Sequence, residues 1–237
     1  MSRDGGLRIL PQTVALSRVA RSAAASPPGR AVVVHTLPFA GEDAAMVAGM
    51  RAGNRAAIAA FYDRHHGHVL RTLSRVLGPE RELSDLHHDV LVSALASLDE
   101  LRDPAVLRGW LTSIAVFTAR TRILRRKRGW WLRLLPWNEI PEVEAEAAAP
   151  PAEITEALRA TYAVLDELPV DERVPFALRF IGGMELTEVA AACAVSLATI
   201  KRRLARAEQS FTTLAREHPA LTEWIEGGTR WGAPTNR

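Results

Sequence analysis

Apolar side chains recur along this chain at intervals of three and four residues, the period of a helix buried on one side, and nowhere alternate convincingly as in a strand. The first sustained pattern, Ala44, Met46, Val47 and Met50, predicts a short helix from about Asp43 to Gly53. Asn54 then offers an N-cap for a longer helix reaching Leu77, with Ile58, Phe61, Tyr62, Val69, Leu73 and Val76 on one stripe, and Gly78-Pro79 ends it. A third helix, about Glu82–Leu98, turns Leu83, Leu86, Val90, Ala94 and Leu98 inward and Asp85, His88 and Asp89 outward. After a loop at Asp99–Arg102, Asp103-Pro104 supplies a capping carboxylate followed by proline at the first helical position. The fourth helix carries Leu107, Trp110, Leu111, Ile114 and Thr118 inward and ends in Arg120, Arg122, Arg125, Arg126, Lys127 and Arg128.

The same period returns near Ala152, where Leu158, Tyr162, Leu165 and Leu168 predict a helix halted at Pro169. Val174, Phe176, Ala177, Phe180 and Ile181 predict another, with Pro175 near its first turn and Gly182-Gly183 closing it through a left-handed C-cap. Leu186, Val189 and Ala190 then form the inner face of a short helix, Cys193-Ala194-Val195 a turn, and Ser196 the N-cap of a last long helix. That helix buries Ile200, Leu204, Ala207 and Phe211 and leaves Thr199, Lys201, Arg202, Arg203 and Arg206 on or beside its outer face. Helix, turn and basic helix in this order fit the major groove of DNA, cations on phosphates and N-terminal residues at base edges. An amphipathic pair with a solvated basic face has the same pattern. Leu221, Trp224 and Ile225 beyond Pro219 predict a short docked helix.

Charge changes the picture by where it lies. The net charge of the 237 residues is +3, yet the basic groups concentrate in two separated helix ends, Arg120–Arg128 and Lys201–Arg206. A basic helix end is also the favourable partner of the helix dipole, but two such ends on one chain point to two contacts on one nucleic acid. Between them lie an aromatic piece, Trp130, Trp131 and Trp137 among leucines, and an acidic run, Glu139, Glu142, Glu144 and Glu146, among alanines and prolines. That composition predicts a flexible linker. The aromatic piece is too short for stable membrane anchoring and is expected to pack on the first module or on a partner. Residues 1–41 lack a sustained period and are expected to form a disordered extension.

A single cysteine, Cys193, excludes an internal disulfide and is expected to be a small buried residue beside the turn. No apolar run reaches the ~18–20 residues of a membrane span, and no signal pattern opens the chain, so a soluble protein of the cytoplasm is expected. His65, His66, His68, His87, His88 and Asp89 are the ligand types of a metal site, but His65 and His87 fall on apolar faces and the others point outward, so neither metal nor other cofactor is expected. Neither a nucleotide-binding glycine loop nor a nucleophile elbow occurs, which argues against an enzyme.

Several motifs in order carry a resemblance to a known family. Ser84-Asp85-Leu86-His87-His88-Asp89-Val90-Leu91, Trp110-Leu111 followed by Ile114-Ala115, Leu168-Pro169, Arg173, Leu178-Arg179, Glu188-Val189-Ala190 and Val195-Ser196 through Arg206-Ala207 resemble the sigma-70 family. The match is to its extracytoplasmic-function (ECF) type, over about residues 43–216. The resemblance implies an all-α fold of two small helical domains. One, at 42–128, would bind the polymerase clamp and recognise and melt the −10 element; a linker follows at 129–152. The other, at 153–216, would read the −35 element through the helix-turn-helix, with a tail at 217–237. It implies core RNA polymerase as partner, through the β′ clamp helices and the β flap, together with promoter DNA, and in many members an anti-sigma factor. By the same resemblance Asp85, His88 and Asp89 contact polymerase, and Ser196, Thr199, Lys201, Arg202, Arg203 and Arg206 bind −35 duplex. Arg102, Arg108, Trp110, Arg120, Arg122, Arg125, Arg126 and Lys127 serve the −10 strand, with the Asp99–Arg108 loop selecting a flipped base. Phe117, Thr121 and Arg122 stand where the family often has Asn and Asp, His88 where Gln is frequent, and Ala194 where the turn usually has Gly. An alanine there needs either a strained positive φ or a turn that avoids it. The rival class is a stand-alone helix-turn-helix regulator, which would bind duplex DNA tightly without polymerase.

Overall fold

A computed structural model of the chain describes Phe39, residues 41–129 and residues 152–226, and every regular element among them is helical. The expected extension before Phe39 and the Trp-rich and acidic connection at 130–151 lie outside the described residues. In order the helices are α1 (Asp43–Arg51), α2 (Arg55–Leu77), α3 (Leu83–Ala96), α4 (Leu107–Gly129), α5 (Ala152–Glu167), α6 (Val170–Phe176), α7 (Leu186–Ala192), α8 (Leu197–Ala215) and α9 (Pro219–Glu226).

The capping chemistry forms largely where the residues allow it. The Asn54 side chain accepts the Ala56 N–H at 2.9 Å and starts α2. Asp103 accepts the Ala105 N–H at 2.9 Å, and Pro104 opens a single 3₁₀ turn that runs into α4. At the end of α2, Gly78 takes φ +74 and leaves room for the Tyr162 ring, which a Cβ at this position would approach to 2.4 Å.

Helices α1 to α4 enclose Met46, Val47, Phe61, Val69, Leu73, Val90, Leu107, Leu111, Ala115 and Ala119. Two inward rows expected from periodicity shift in register. In α4 the buried row is Leu107, Leu111, Ala115, Ala119 and Ile123, so Trp110, Ile114 and Thr118 are half-buried rather than central. In α2, Tyr62 is 49% exposed and stacks on His66, because the α2 face needed by α3 and α4 runs through Phe61, Val69 and Leu73 instead.

The second half has a smaller core of its own, Tyr162, Leu165, Leu168, Phe176, Phe211 and Leu221, with Phe176 and Phe211 stacked at 4.7 Å. Leu158, expected inward, is 47% exposed, since the inner face of α5 runs through Thr161, Tyr162 and Leu165, with Leu168 buried just past its end. Pro175 lies inside α6 rather than near its first turn, because α6 begins at Val170. The chain continues from it through a wider π turn, Ala177–Ile181, in which the Gly182 N–H reaches the Ala177 carbonyl. Gly183, at φ +67, supplies the left-handed step expected of the glycine pair.

The division between the halves is not a division of the core. Val174, Ala177, Leu178, Val189, Ile200 and Leu204 belong to the same apolar cluster as α2 and α4, and α6 and α7 pack directly on α4.

Candidate nucleic-acid interface

The helix-turn-helix is built by local chemistry. The Glu188 carboxylate accepts the Glu185 N–H at 2.9 Å and fixes the start of α7. Val195 N–H returns to the Ala190 carbonyl, and between them Ala194 takes φ +53. The turn therefore does enter the left-handed region, at a cost of about 1 kcal/mol for a residue with a Cβ. Ser196 Oγ accepts the Thr199 N–H at 3.2 Å and lies 3.0 Å from Thr199 Oγ1, so both side chains are occupied in starting α8. Ile200, Leu204, Ala207 and Phe211 are buried, holding the opposite face of α8 outward.

On that outward face the cations divide. Lys201 and Arg202 are exposed, and Arg202 makes a 3.4 Å contact with Thr199 Oγ1. Arg203 is half-buried and pairs with Asp171 at 3.4 Å, and Arg206 donates to Glu172 at 3.1 Å. Cys193 sits half-buried behind the turn. Burial pushes its thiol up to about 11 against the neighbouring Arg203 and Arg120, so it stays protonated and unreactive at neutral pH.

The basic end of α4 is more fully engaged. Arg122 binds Glu80 at 3.1 Å and Glu82 at 2.9 Å, and Arg126 reaches Glu80 at 3.5 Å and Asp166 at 3.7 Å. Burial alone would raise the Glu80 carboxyl, but the Arg122 hydrogen bond and charge, with that of Arg126, outweigh it and hold Glu80 below the usual range. Arg120 pairs with Asp171, and Lys127 Nζ donates to the Leu168 carbonyl at 2.7 Å. Arg102, Arg108 and Arg125 are exposed, Trp110 is half-buried, and Phe117 is 61% exposed on the same helix.

A third surface lies on α3. Asp85, His88 and Asp89 are all exposed, and Val92 and Leu95 continue the surface at helical spacing, 49% and 37% exposed. Val92 and Leu95 lie off the inward stripe of Val90, Ala94 and Leu98, so periodicity alone gives them no role.

The histidines do not converge. His65 is buried beside Phe61, and burial lowers its pKa. His68, expected outward, is half-buried at 2.8 Å from Thr112 Oγ1 with its pKa lowered to about 4 by burial and by Arg108. His87 Nε2 lies 3.1 Å from the His66 carbonyl oxygen. Among the described residues no three ligating side chains gather as for a metal ion.

Sequence reasoning gave no role to Glu80 or Asp166, and knew Arg173 only as part of a motif. Arg173 is 1% exposed and pairs with Asp166, while its Nε and Nη2 donate to the carbonyls of Val76 and Leu77 at 3.2 and 2.9 Å. No local pattern announces the carbonyl contacts, whose partners lie 97 and 96 residues away.

Comparison with known proteins places two family models on the chain. The one described as sigma-70 region 2 matches residues 61–129, and the one described as sigma-70 region 4 matches residues 158–210. The chain is 24% identical over 180 residues to the ECF RNA polymerase sigma-E factor of Escherichia coli, covering 71% of this chain and 91% of that protein. It is 26% identical over 175 residues to the ECF RNA polymerase sigma factor SigM of Mycobacterium tuberculosis, covering 73% and 84%. Among solved structures, CnrH in complex with the cytosolic domain of CnrY shares the fold with a TM-score of 0.51, at 24% identity over 74% of this chain and 98% of that one.

Proposed function

The chain belongs to the sigma-70 family as a sigma factor of the ECF type, and from that premise we propose how its surfaces divide the work of promoter-specific initiation. The observation that carries the reading is the presence on one chain of both regions, each with an unspent surface: the acid and apolar face of α3 and the open cations at the start of α8. A stand-alone regulator has no use for the first of these.

Asp85, His88 and Asp89, with Val92 and Leu95, form the face that docks on core RNA polymerase: apolar area gives affinity and the carboxylates give orientation and rate. Lys201 and Arg202 reach into the −35 major groove, with Ser196 and Thr199 setting the helix end at the backbone. Arg203 and Arg206 join them on the phosphates once released from Asp171 and Glu172. Near −10, Arg102, Arg108 and Arg125 hold the strand backbone, and Trp110 and the exposed Phe117 offer rings on which a displaced base stacks. Arg120, Arg122, Arg126 and Lys127 extend that track when their carboxylate and carbonyl partners give way. The protein performs no covalent chemistry; it supplies positioning and binding to the polymerase, in the cytoplasm where that enzyme works.

The test is run-off transcription by bacterial core polymerase reconstituted with the purified chain on a pool of promoters. Transcripts sharing one −35 and −10 pair are the expected result. A chain that binds duplex DNA but neither core polymerase nor a promoter-dependent transcript overturns the reading.

A further inference from the structure

Helix α1 lies before the span matched to region 2, which begins at residue 61, yet it takes hold of the loop that leads into α4. Met46, Val47 and Met50 sink α1 into the core of the first module, so the last residue of the helix, Arg51, rides on a fixed support. A cation in the last turn ordinarily serves the negative end of its own helix. Arg51 reaches away instead: its Nη2 donates to the carbonyls of Leu98, at 3.2 Å, and Leu101, 47 and 50 residues further on. Its 3.9 Å approach to Asp99 adds little, because that carboxylate stands in solvent.

The far end of the loop is held from α2. Thr112 gives its hydroxyl proton to the Arg108 carbonyl at 2.9 Å, which leaves its oxygen to accept from His68 Nε2 at 2.8 Å. Thr112 is buried and His68 half-buried, so water competes weakly for this tie. Between the two ties the chain crosses from Leu101 to Leu107, 2% and 0% exposed, through residues 102–106 alone. Within them the Asp103 carboxylate accepts the Ala105 N–H, and the Val106 N–H returns to the Asp103 carbonyl at 3.2 Å. A segment pinned at both ends and bonded within has few conformations left to lose. What it turns outward includes Arg102 and Val106, a planar cation and an apolar side chain 54% exposed. Those are surfaces that receive an unstacked base, the guanidinium plane by stacking and the alkyl group by contact.

We propose that Arg51 is a positioning residue for −10 selection: it holds the start of this loop, as His68 and Thr112 hold its end, so that Arg102 and Val106 meet the displaced base already in place. The proposal rests on the sigma reading, in which the loop Asp99–Arg108 takes the flipped base. Arg51 touches neither DNA nor polymerase in this role. It acts by ordering the loop beforehand, and the cost of that ordering would otherwise weaken the hold on the base.

The test is transcription by core polymerase with the full chain from a library randomised across the −10 element, read as the preference at each position. Arg51→Met keeps a long side chain without donors. It is expected to lower the preference at one −10 position about tenfold and to leave the other positions and the −35 element as they are. Val106→Ala should weaken the same position, and the two changes together should cost less than their product, because a loop no longer held leaves little for Val106 to add. Arg51→Lys, which can still donate to both carbonyls, should restore most of the preference. Where Arg51→Met does not fold, Arg51→Gln, with one donor group in place of the guanidinium, is expected to show the same single-position loss in smaller measure. An unchanged preference at every position overturns the proposal, and so does an equal loss across both elements, which is what a general loss of folding would give. A wild type that selects no −10 sequence counts instead against the sigma reading, whereas a wild type that selects and an Arg51→Met variant that matches it count against the proposal alone.

Discussion

Helices α4 and α8 both carry a run of cations, α4 at its end and α8 in its first turns, yet they hold those cations differently. On α4, Arg120, Arg122, Arg126 and Lys127 are all partnered, and Arg125 is left exposed. On α8 the first cations, Lys201 and Arg202, face outward, and pairing begins at Arg203. The cause is what packs alongside. The end of α4 lies against α6 and the acidic groups Asp166 and Asp171 of the second half, whereas the first cations of α8 follow directly on the turn and are exposed. A run of positive residues in a sequence therefore reports an available charge only after its neighbours are known.

The largest expected effect comes from removing the group that spans the two halves. Arg173→Met should cost ~3–5 kcal/mol of unfolding free energy, because Asp166 and the carbonyls of Val76 and Leu77 lose a buried cation. Urea titration measures it, and a loss below ~1 kcal/mol would mean that the carbonyls are satisfied by water instead.

Glu80→Gln sharpens the α4 side of the comparison, with an expected loss of ~1–3 kcal/mol at pH 7. The folded Glu80 carboxyl titrates below its unfolded value, so its contribution is present above about pH 4.5 and is lost as pH falls through the folded value. The difference between variant and wild type should shrink in that acid window. His68 acts at higher pH: its folded pKa of about 4 lies below the ordinary 6.5, so the unfolded chain takes up the proton first and stability falls as pH drops between those values. His68→Gln, followed by thermal melts from pH 7 to 4, should remove part of that slope.

On the α8 side the effects are smaller and local. Ser196→Ala should cost ~1 kcal/mol through the lost cap on the Thr199 N–H, seen as reduced thermal stability. Arg202→Ala should leave stability within ~0.5 kcal/mol of wild type, since the side chain is exposed and makes a long 3.4 Å contact with Thr199. An equal loss of stability at Arg202 and at Arg173 would erase the distinction between held and open cations.

Much of this was legible from residues alone, for reasons that are local. Asn54, Asp103 and Ser196 cap the helices they precede because each needs only its own next three residues. The buried row of α8 follows from its spacing, whereas the course of the turn at Ala194 stayed open between two conformations until the structure gave it a φ of +53. What escaped was tertiary. The α4 stripe rotated away from Trp110 because α6 and α7 cover a face that periodicity assigned to solvent, and Leu158 came out because α5 needed Tyr162 and Thr161 inside. Glu80 became central through Arg122 and Arg126, and Arg173 through the carbonyls of Val76 and Leu77, partners too distant in sequence for any spacing rule to encode.

The most direct measurement is transcription by core polymerase from a library randomised at both promoter elements, with the wild type, Arg202→Ala and Arg125→Ala run side by side. The account predicts that the wild type selects one −35 and one −10 sequence. It further predicts that Arg202→Ala relaxes selection at −35 by the ~1–3 kcal/mol of a lost base contact, and that Arg125→Ala lowers output uniformly as a lost phosphate contact would. Two variants that lose selection at the same positions, or a wild type that selects none, would contradict it.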